Sequence, residues 1–217
     1  MIRHGFDQDL EALRRELLLM GEIVKQATKN AVTALKTKDI ALAHSVMSGD
    51  DVIDRMQDEI EDKCIAMIAR QQPVATDLRI LGTGLKITTD LERIGDHAFD
   101  IAKIVLEIGD EPLIKPLVDI PRMAELAQAM LQDCLQAYLN LDIALAEKVC
   151  RDDDMVDDLF HTVFSDLLTY MMRDPATIRQ ATQLLFVARY LERISDHSTN
   201  VAEWVIYLVT GERLRTK

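Results

Sequence analysis

Two phrases in the chain carry the side chains best suited to chemistry: LERIGDHAFDIAK at 91–103 and LERISDHSTNVAE at 191–203. In the first, Glu92, Asp96 and Asp100 stand at i, i+4 and i+8, which on a helix is one ridge drifting only about 40° per step. The second supplies Glu192, Asp196 and Asn200 at the same spacing. Upstream of each lies another ridge, Asp50, Asp54 and Asp58 in the first half and Asp153, Asp157 and His161 in the second. Carboxylates at i and i+4 repel and weaken a helix, so such ridges call for a compensating cation. Arg93 and Arg193 are expected to serve poorly, being about 100° around the helix from Glu92 and Glu192. A metal ion between facing helices is the stronger solution, and all-oxygen ligands suit Mg, Mn, Fe or Ca. His97 and His197 flank the ridges and are expected to add nitrogen ligands or outer hydrogen bonds. The competing reading is a solvated acidic face, and spacing alone does not separate the two.

The ridges need helices to hold them, and the rest of the chain provides these. Its 217 residues are 48% hydrophobic with only 8 Gly and 5 Pro, a composition for long helices. Displacing the sequence by 103 lays DIALA at 39–43 on DIALA at 142–146, and displacing it by 100 lays Leu91–Ile94 on Leu191–Ile194. The loss of three residues falls between QQPVATDLR (71–79) and RDPATIR (173–179), where a turn belongs. An all-α fold of two tandem three-helix bundles is predicted. The first three-helix unit covers 1–108, the linker 109–121 with its three prolines, and the second unit 122–217. Helices are expected at about 7–47 with a break at Lys38-Asp39, 50–70 and 75–107, then 121–150, 152–172 and 175–210.

Several function classes fall away. A net charge of −12 without a basic stripe disfavours nucleic acid. No GxSxG, GxxxxGK[ST] or HExxH motif is present, and no Glu-x-x-His pair of the di-iron oxidase type. No catalytic residue and no organic cofactor is therefore expected. Cys64, Cys134 and Cys150 have no CxxC spacing and read as reduced core thiols. The N-terminal MIRHGFDQDLEALRR lacks a signal-peptide stretch, and no apolar run approaches a membrane span, so a cytoplasmic protein is expected. Arg79 and Arg179 are expected to pair with nearby acids, and Trp204 and Tyr207 to pack helices. The ten methionines are expected to be mostly core filler.

The doubled LERI-x-DH phrase, the QQPVATDLR segment before its first copy and the six-helix order resemble the PhoU family of phosphate-uptake regulators, over about Phe6 to Glu212. The resemblance implies a non-enzymatic negative regulator of the phosphate-starvation response and of phosphate uptake. Its partners would be the ATPase of the phosphate ABC transporter and a phosphate-responsive sensor histidine kinase, with membrane contact through those partners only. A homodimer is expected. The resemblance also implies metal, as iron or zinc, with manganese or magnesium as further candidates. The ligands would be Asp50, Asp54, Glu92, Asp96 and Asp100 in the first repeat and Asp153, Asp157, Glu192, Asp196 and Asn200 in the second. Asn200 in place of a carboxylate and His161 in place of Asp58 make the second cluster the less anionic. A helical metal-binding or iron-storage protein is the alternative.

Overall fold

A computed structural model describes residues 2–213, with side chains from residue 5 onward. It contains helices α1 (Ile2–Thr37), α2 (Ile40–Gln71), α3 (Thr76–Ile108), α4 (Asp119–Asn140), α5 (Ile143–Arg173) and α6 (Ile178–Thr210), with a 3-10 turn at Pro175–Thr177 before α6. No strand occurs among the described residues.

The repeated DIALA phrase is a helix start. Lys38 and Leu141 take left-handed conformations at φ 56° and 53°, closing α1 and α4. The next residue then caps the following helix: Asp39 accepts from the Leu42 N–H at 2.9 Å, and Asp142 from the Leu145 N–H at 3.0 Å. A side chain that satisfies an orphan N–H at a helix start contributes about 1 kcal/mol. The expected breaks near 47–50 and 150–152 are absent. Ser48 and Gly49 continue α2, so the first break lies at Lys38-Asp39 and Asp50 and Asp51 sit inside α2. Likewise Asp153 sits inside α5. One glycine without a proline is too weak a breaker to interrupt a helix whose other turns are packed.

Helices α1, α2 and α3 pack as one bundle, and α4, α5 and α6 as the other. Their stripes are regular: Ile87, Leu91, Ile94, Ala98 and Ile101 of α3 are fully buried, as are Leu184, Val187, Leu191, Ile194 and Val201 of α6. Each fully buried Leu or Ile contributes about 1.5–3 kcal/mol. The bundles join through α1 against α4 and α3 against α6. Gly21 of α1 sets one of these approaches, because a Cβ there would meet the Leu135 methyls at 2.6 Å.

Between Ile108 and Asp119 the chain is stitched down. Gln180 is a buried polar side chain that accepts from the Ile114 N–H at 2.6 Å and donates to the Pro112 carbonyl at 3.0 Å. Lys38 donates to the Glu111 carbonyl at 2.6 Å, tying the linker to the α1–α2 turn. Helix α4 begins at Asp119, so Pro121 lies in its first turn, where no backbone N–H is needed. Cys64, Cys134 and Cys150 are free thiols, the first two fully buried. Most core-facing methionines behave as filler, but Met155 and Met172 are exposed. No helix among the described residues is long and apolar enough to cross a membrane.

Candidate metal clefts on the two bundles

In the first bundle the ridges of α2 and α3 face each other. Burial, then the charges of Asp54 and Asp96, pushes the Asp50 carboxyl up to about 6. Glu92 is raised by burial and by Asp96, Asp54 and Asp50, and Asp100 by burial and Asp96. Asp54 and Asp58 are exposed on the rim, whereas Asp50, Glu92, Asp96 and Asp100 are half-buried. The repeated phrase fixes the approach: at Gly95 a Cβ would meet Ile53 at 3.0 Å and the Asp50 carboxylate at 3.7 Å. A glycine here lets α2 lie close with its carboxylate over the α3 backbone.

The second bundle repeats the cleft with altered chemistry. Burial pushes Asp153 up to about 6, and Asp196 and Asp157 add repulsion that the neighbouring Ser195 hydroxyl, itself donating to the Glu192 carbonyl at 2.6 Å, partly offsets. Ser195 occupies the place of Gly95 and is fully buried. The Oδ1 oxygen of Asp153 is buried without a hydrogen-bond donor. Asp157 and Glu192 are raised chiefly by burial, Arg189 opposing both shifts. Asp196, Asn200 and His161 are exposed.

Three expectations about neighbours need correcting. Arg93 does neutralise its ridge: Nη1 reaches Asp96 Oδ2 at 3.0 Å and Nε reaches Glu92 Oε2 at 3.5 Å, because the long side chain wraps toward i+3. In the second copy Arg189 pairs with Glu192 through both carboxylate oxygens. The histidines are not on the ridges. One residue past Asp96 is a 100° step, and it turns His97 and His197 into the α3–α6 interface with ring centroids 5.7 Å apart. There His197 Nδ1 meets Asp90 Oδ1 at 2.9 Å, and His97 stacks on Tyr190 at 5.6 Å. Buried among Arg193, His197 and Arg93, His97 has its pKa lowered to about 4. Finally, among the described residues Arg79 reaches the Leu208 carbonyl and no acid, whereas Arg179 pairs with Glu111.

The last residue of each ridge also bridges the bundles. Asp100 lies near enough to Tyr190 for each to shift the other's titration, and Asn200 donates to Asp90 Oδ1 at 3.1 Å. With the offset of 100 these are the same pairing in reverse, 100 to 190 and 200 to 90, as an internal pseudo-twofold demands. Asn200 is thereby held across the interface, so the second cleft presents Asp153, Asp157, Glu192 and Asp196. Among the described residues no three His, Cys, Asp or Glu side chains converge closely enough to hold an ion as they stand. The donor set nevertheless fits a hard cation. It is rich in carboxylate, half-buried and mutually repelling, and in the second cleft it includes an oxygen with no donor.

A doubled three-helix bundle with an acidic cleft on each half defines a class, and comparison identifies it. The PhoU domain model matches residues 17–105 and again 120–205. The "Phosphate-specific transport system accessory protein PhoU homolog" of Clostridium acetobutylicum is 44% identical over 99% of this chain and 98% of its own. The protein of that name from Aquifex aeolicus is 42% identical over 94% of this chain and 93% of its own. The crystal structure of PhoU from Pseudomonas aeruginosa superposes with a TM-score of 0.92 at 38% identity, covering 95% of this chain and all of that one. The phosphate transport system regulatory protein PhoU of Streptococcus pneumoniae gives 0.90 at 30% identity, covering 97% and 100%. This chain belongs to the PhoU family.

Proposed function

We propose that the protein is a non-enzymatic accessory regulator of a phosphate-specific transport system, restraining phosphate uptake and the starvation response when phosphate is plentiful. The observation that carries this reading is the near-full-length similarity to chains named as accessory proteins of that system. In this role it works in the cytoplasm as a homodimer and engages the transporter ATPase and a phosphate-responsive sensor kinase. Its charge of −12 favours basic surfaces on both partners through long-range attraction. The clefts take iron, zinc, manganese or magnesium. Asp50, Asp54, Glu92, Asp96 and Asp100 hold the ion in the first, and Asp153, Asp157, Glu192 and Asp196, with Asn200 at the edge, in the second. Such ions offset the burial and the repulsion that raise Asp50 and Asp153, and lock the outer helices α2 and α5 onto α3 and α6.

The test is an affinity capture from phosphate-replete cells, paired with deletion of the gene. The ATPase and the kinase are expected in the capture, and the starvation response is expected to stay on in high phosphate. Normal repression in the deletion strain with neither partner recovered would overturn the reading. An iron-storage role is the second reading, favoured by the two carboxylate clefts. It predicts many iron atoms per chain after aerobic iron loading, where the regulator holds only the few that the clefts seat.

A further inference from the structure

The α3 start and the α6 end form an open groove of about 440 Å3, away from the acidic clefts. Its walls include Leu78, Arg79 and Lys86 of α3, Trp204 and Tyr207 of α6, and Arg213 beyond it. In a chain of net charge −12 this groove carries three cations and no acid in its lining. Among the described residues Arg79 is held by the Tyr207 ring and a backbone carbonyl and not by a carboxylate. The smaller adjoining hollow shares Trp204, Tyr207 and Arg213 with the groove and adds Glu203.

The arginines are held by rings and backbone. Arg79 lies over the Tyr207 ring at 5.9 Å and reaches the Leu208 carbonyl at 3.5 Å. Gly211, at φ 79°, leaves it room, since a Cβ there would meet its guanidinium at 2.6 Å. The chain then returns to place Arg213 over Trp204 at 5.5 Å and Tyr207 at 5.6 Å. A ring face orients a guanidinium without neutralising it, so the charges stay available to an anion. The second repeat lacks this arrangement, because its Arg179 is paired with Glu111.

We propose that this groove binds a nucleoside di- or triphosphate. Arg79 and Lys86 are seven residues apart, about 10 Å along the helix axis, a span that suits a chain of phosphates better than one. Leucine and aromatic walls around a volume of this size suit an organic ring. The base takes the place of the Arg213 guanidinium on Trp204 and Tyr207, and Arg213 turns to the phosphates beside Arg79.

Trp204 is the only tryptophan of the chain, so its fluorescence reports the groove alone. Metal-free full-length protein is titrated with ATP, inorganic tripolyphosphate, adenosine and orthophosphate, read by Trp204 fluorescence and by calorimetry. ATP is expected to give a saturable signal, with each of the other three at least about tenfold weaker. Arg79→Ala and Lys86→Ala, the latter at an exposed position, are each expected to weaken ATP by roughly tenfold, and Arg179→Ala to leave it unchanged. Absence of saturation with ATP overturns the proposal, as does wild-type affinity in Lys86→Ala. Tripolyphosphate binding as tightly as ATP overturns the ring contact and with it the nucleotide.

Discussion

The two acidic clefts come from one duplicated phrase, yet LERIGDH and LERISDH build different environments. In the first, Gly95 brings Asp50 over the bare α3 backbone, and five carboxylates face a single paired arginine. In the second, a buried serine hydroxyl lies beside Asp153, Arg189 grips Glu192, and Asn200 is turned across to Asp90. A duplicated scaffold preserves helix phase, and with it the facing of the ridges. It does not preserve charge, because one hydroxyl, one amide and one guanidinium suffice to soften the second copy. The difference predicts unequal appetite for cations.

The largest expected effect is on metal content. Protein reconstituted with Fe or Mn is expected to lose most of its bound metal in Asp96→Ala and a smaller share in Asp196→Ala, with none left in the double variant and helicity unchanged. Elemental analysis with circular dichroism reads both. Equal losses in the single variants would dissolve the proposed ranking, and unchanged metal in the double variant would leave both clefts as solvated faces.

The next effect is smaller and isolates the distinguishing position. In Gly95→Ser the new Cβ sits 3.0 and 3.2 Å from Ile53 carbons, crowding that is expected to cost about 1–3 kcal/mol. The hydroxyl also donates to Asp50, which lowers that carboxyl toward the ordinary range and makes the first cleft resemble the second. The reverse change, Ser195→Gly, removes the hydroxyl beside Asp153 together with its bond to the Glu192 carbonyl, and leaves a small void. Denaturant unfolding of the metal-free variants measures both, and a neutral Gly95→Ser would mean that α2 does not rely on close approach.

The sequence carried the fold well, because three signals agreed: apolar stripes, a 100-residue repeat and prolines kept to connections and a helix first turn. It carried the ridges equally well, since i, i+4 spacing is decided by helix geometry alone. The break at Lys38-Asp39 falls where the sequence puts it, but those expected near residues 47 and 150 are absent, and the break at Leu141-Asp142, marked only by the Asp142 cap, goes unread. The histidines went astray for a different reason. Adjacency in sequence suggested the ridge, but the 100° step faces them to the other bundle, a surface that exists only once α3 and α6 have met. Arg79 was expected to find an acid, and the ring of Tyr207, 128 residues on, took that place. Contacts of this range leave no local pattern to read.

The smallest expected effect concerns acid, and here the two clefts should agree. Asp50 and Asp153 both have carboxyls pushed up to about 6 from an ordinary 3.8, in each case first by burial. The folded protein therefore holds these protons more tightly than the unfolded chain between about pH 4 and 6. Stability contributed by the pair is present at low pH and is lost as pH rises through about 6, the reverse of a salt-bridged carboxylate. Between pH 7 and 5 this gain in metal-free protein is opposed by His97, which stays neutral in the fold while the unfolded chain protonates, so the gain is read as the difference between wild type and the Asn variants; it amounts to less than about 4 °C because both carboxyls keep solvent contact that screens the repulsion. Asp50→Asn and Asp153→Asn should each remove about half of that gain, while raising stability at pH 7. If only Asp50→Asn flattened the profile, Ser195 would already have relieved Asp153 fully, and the second cleft would have lost the repulsion that draws a cation in.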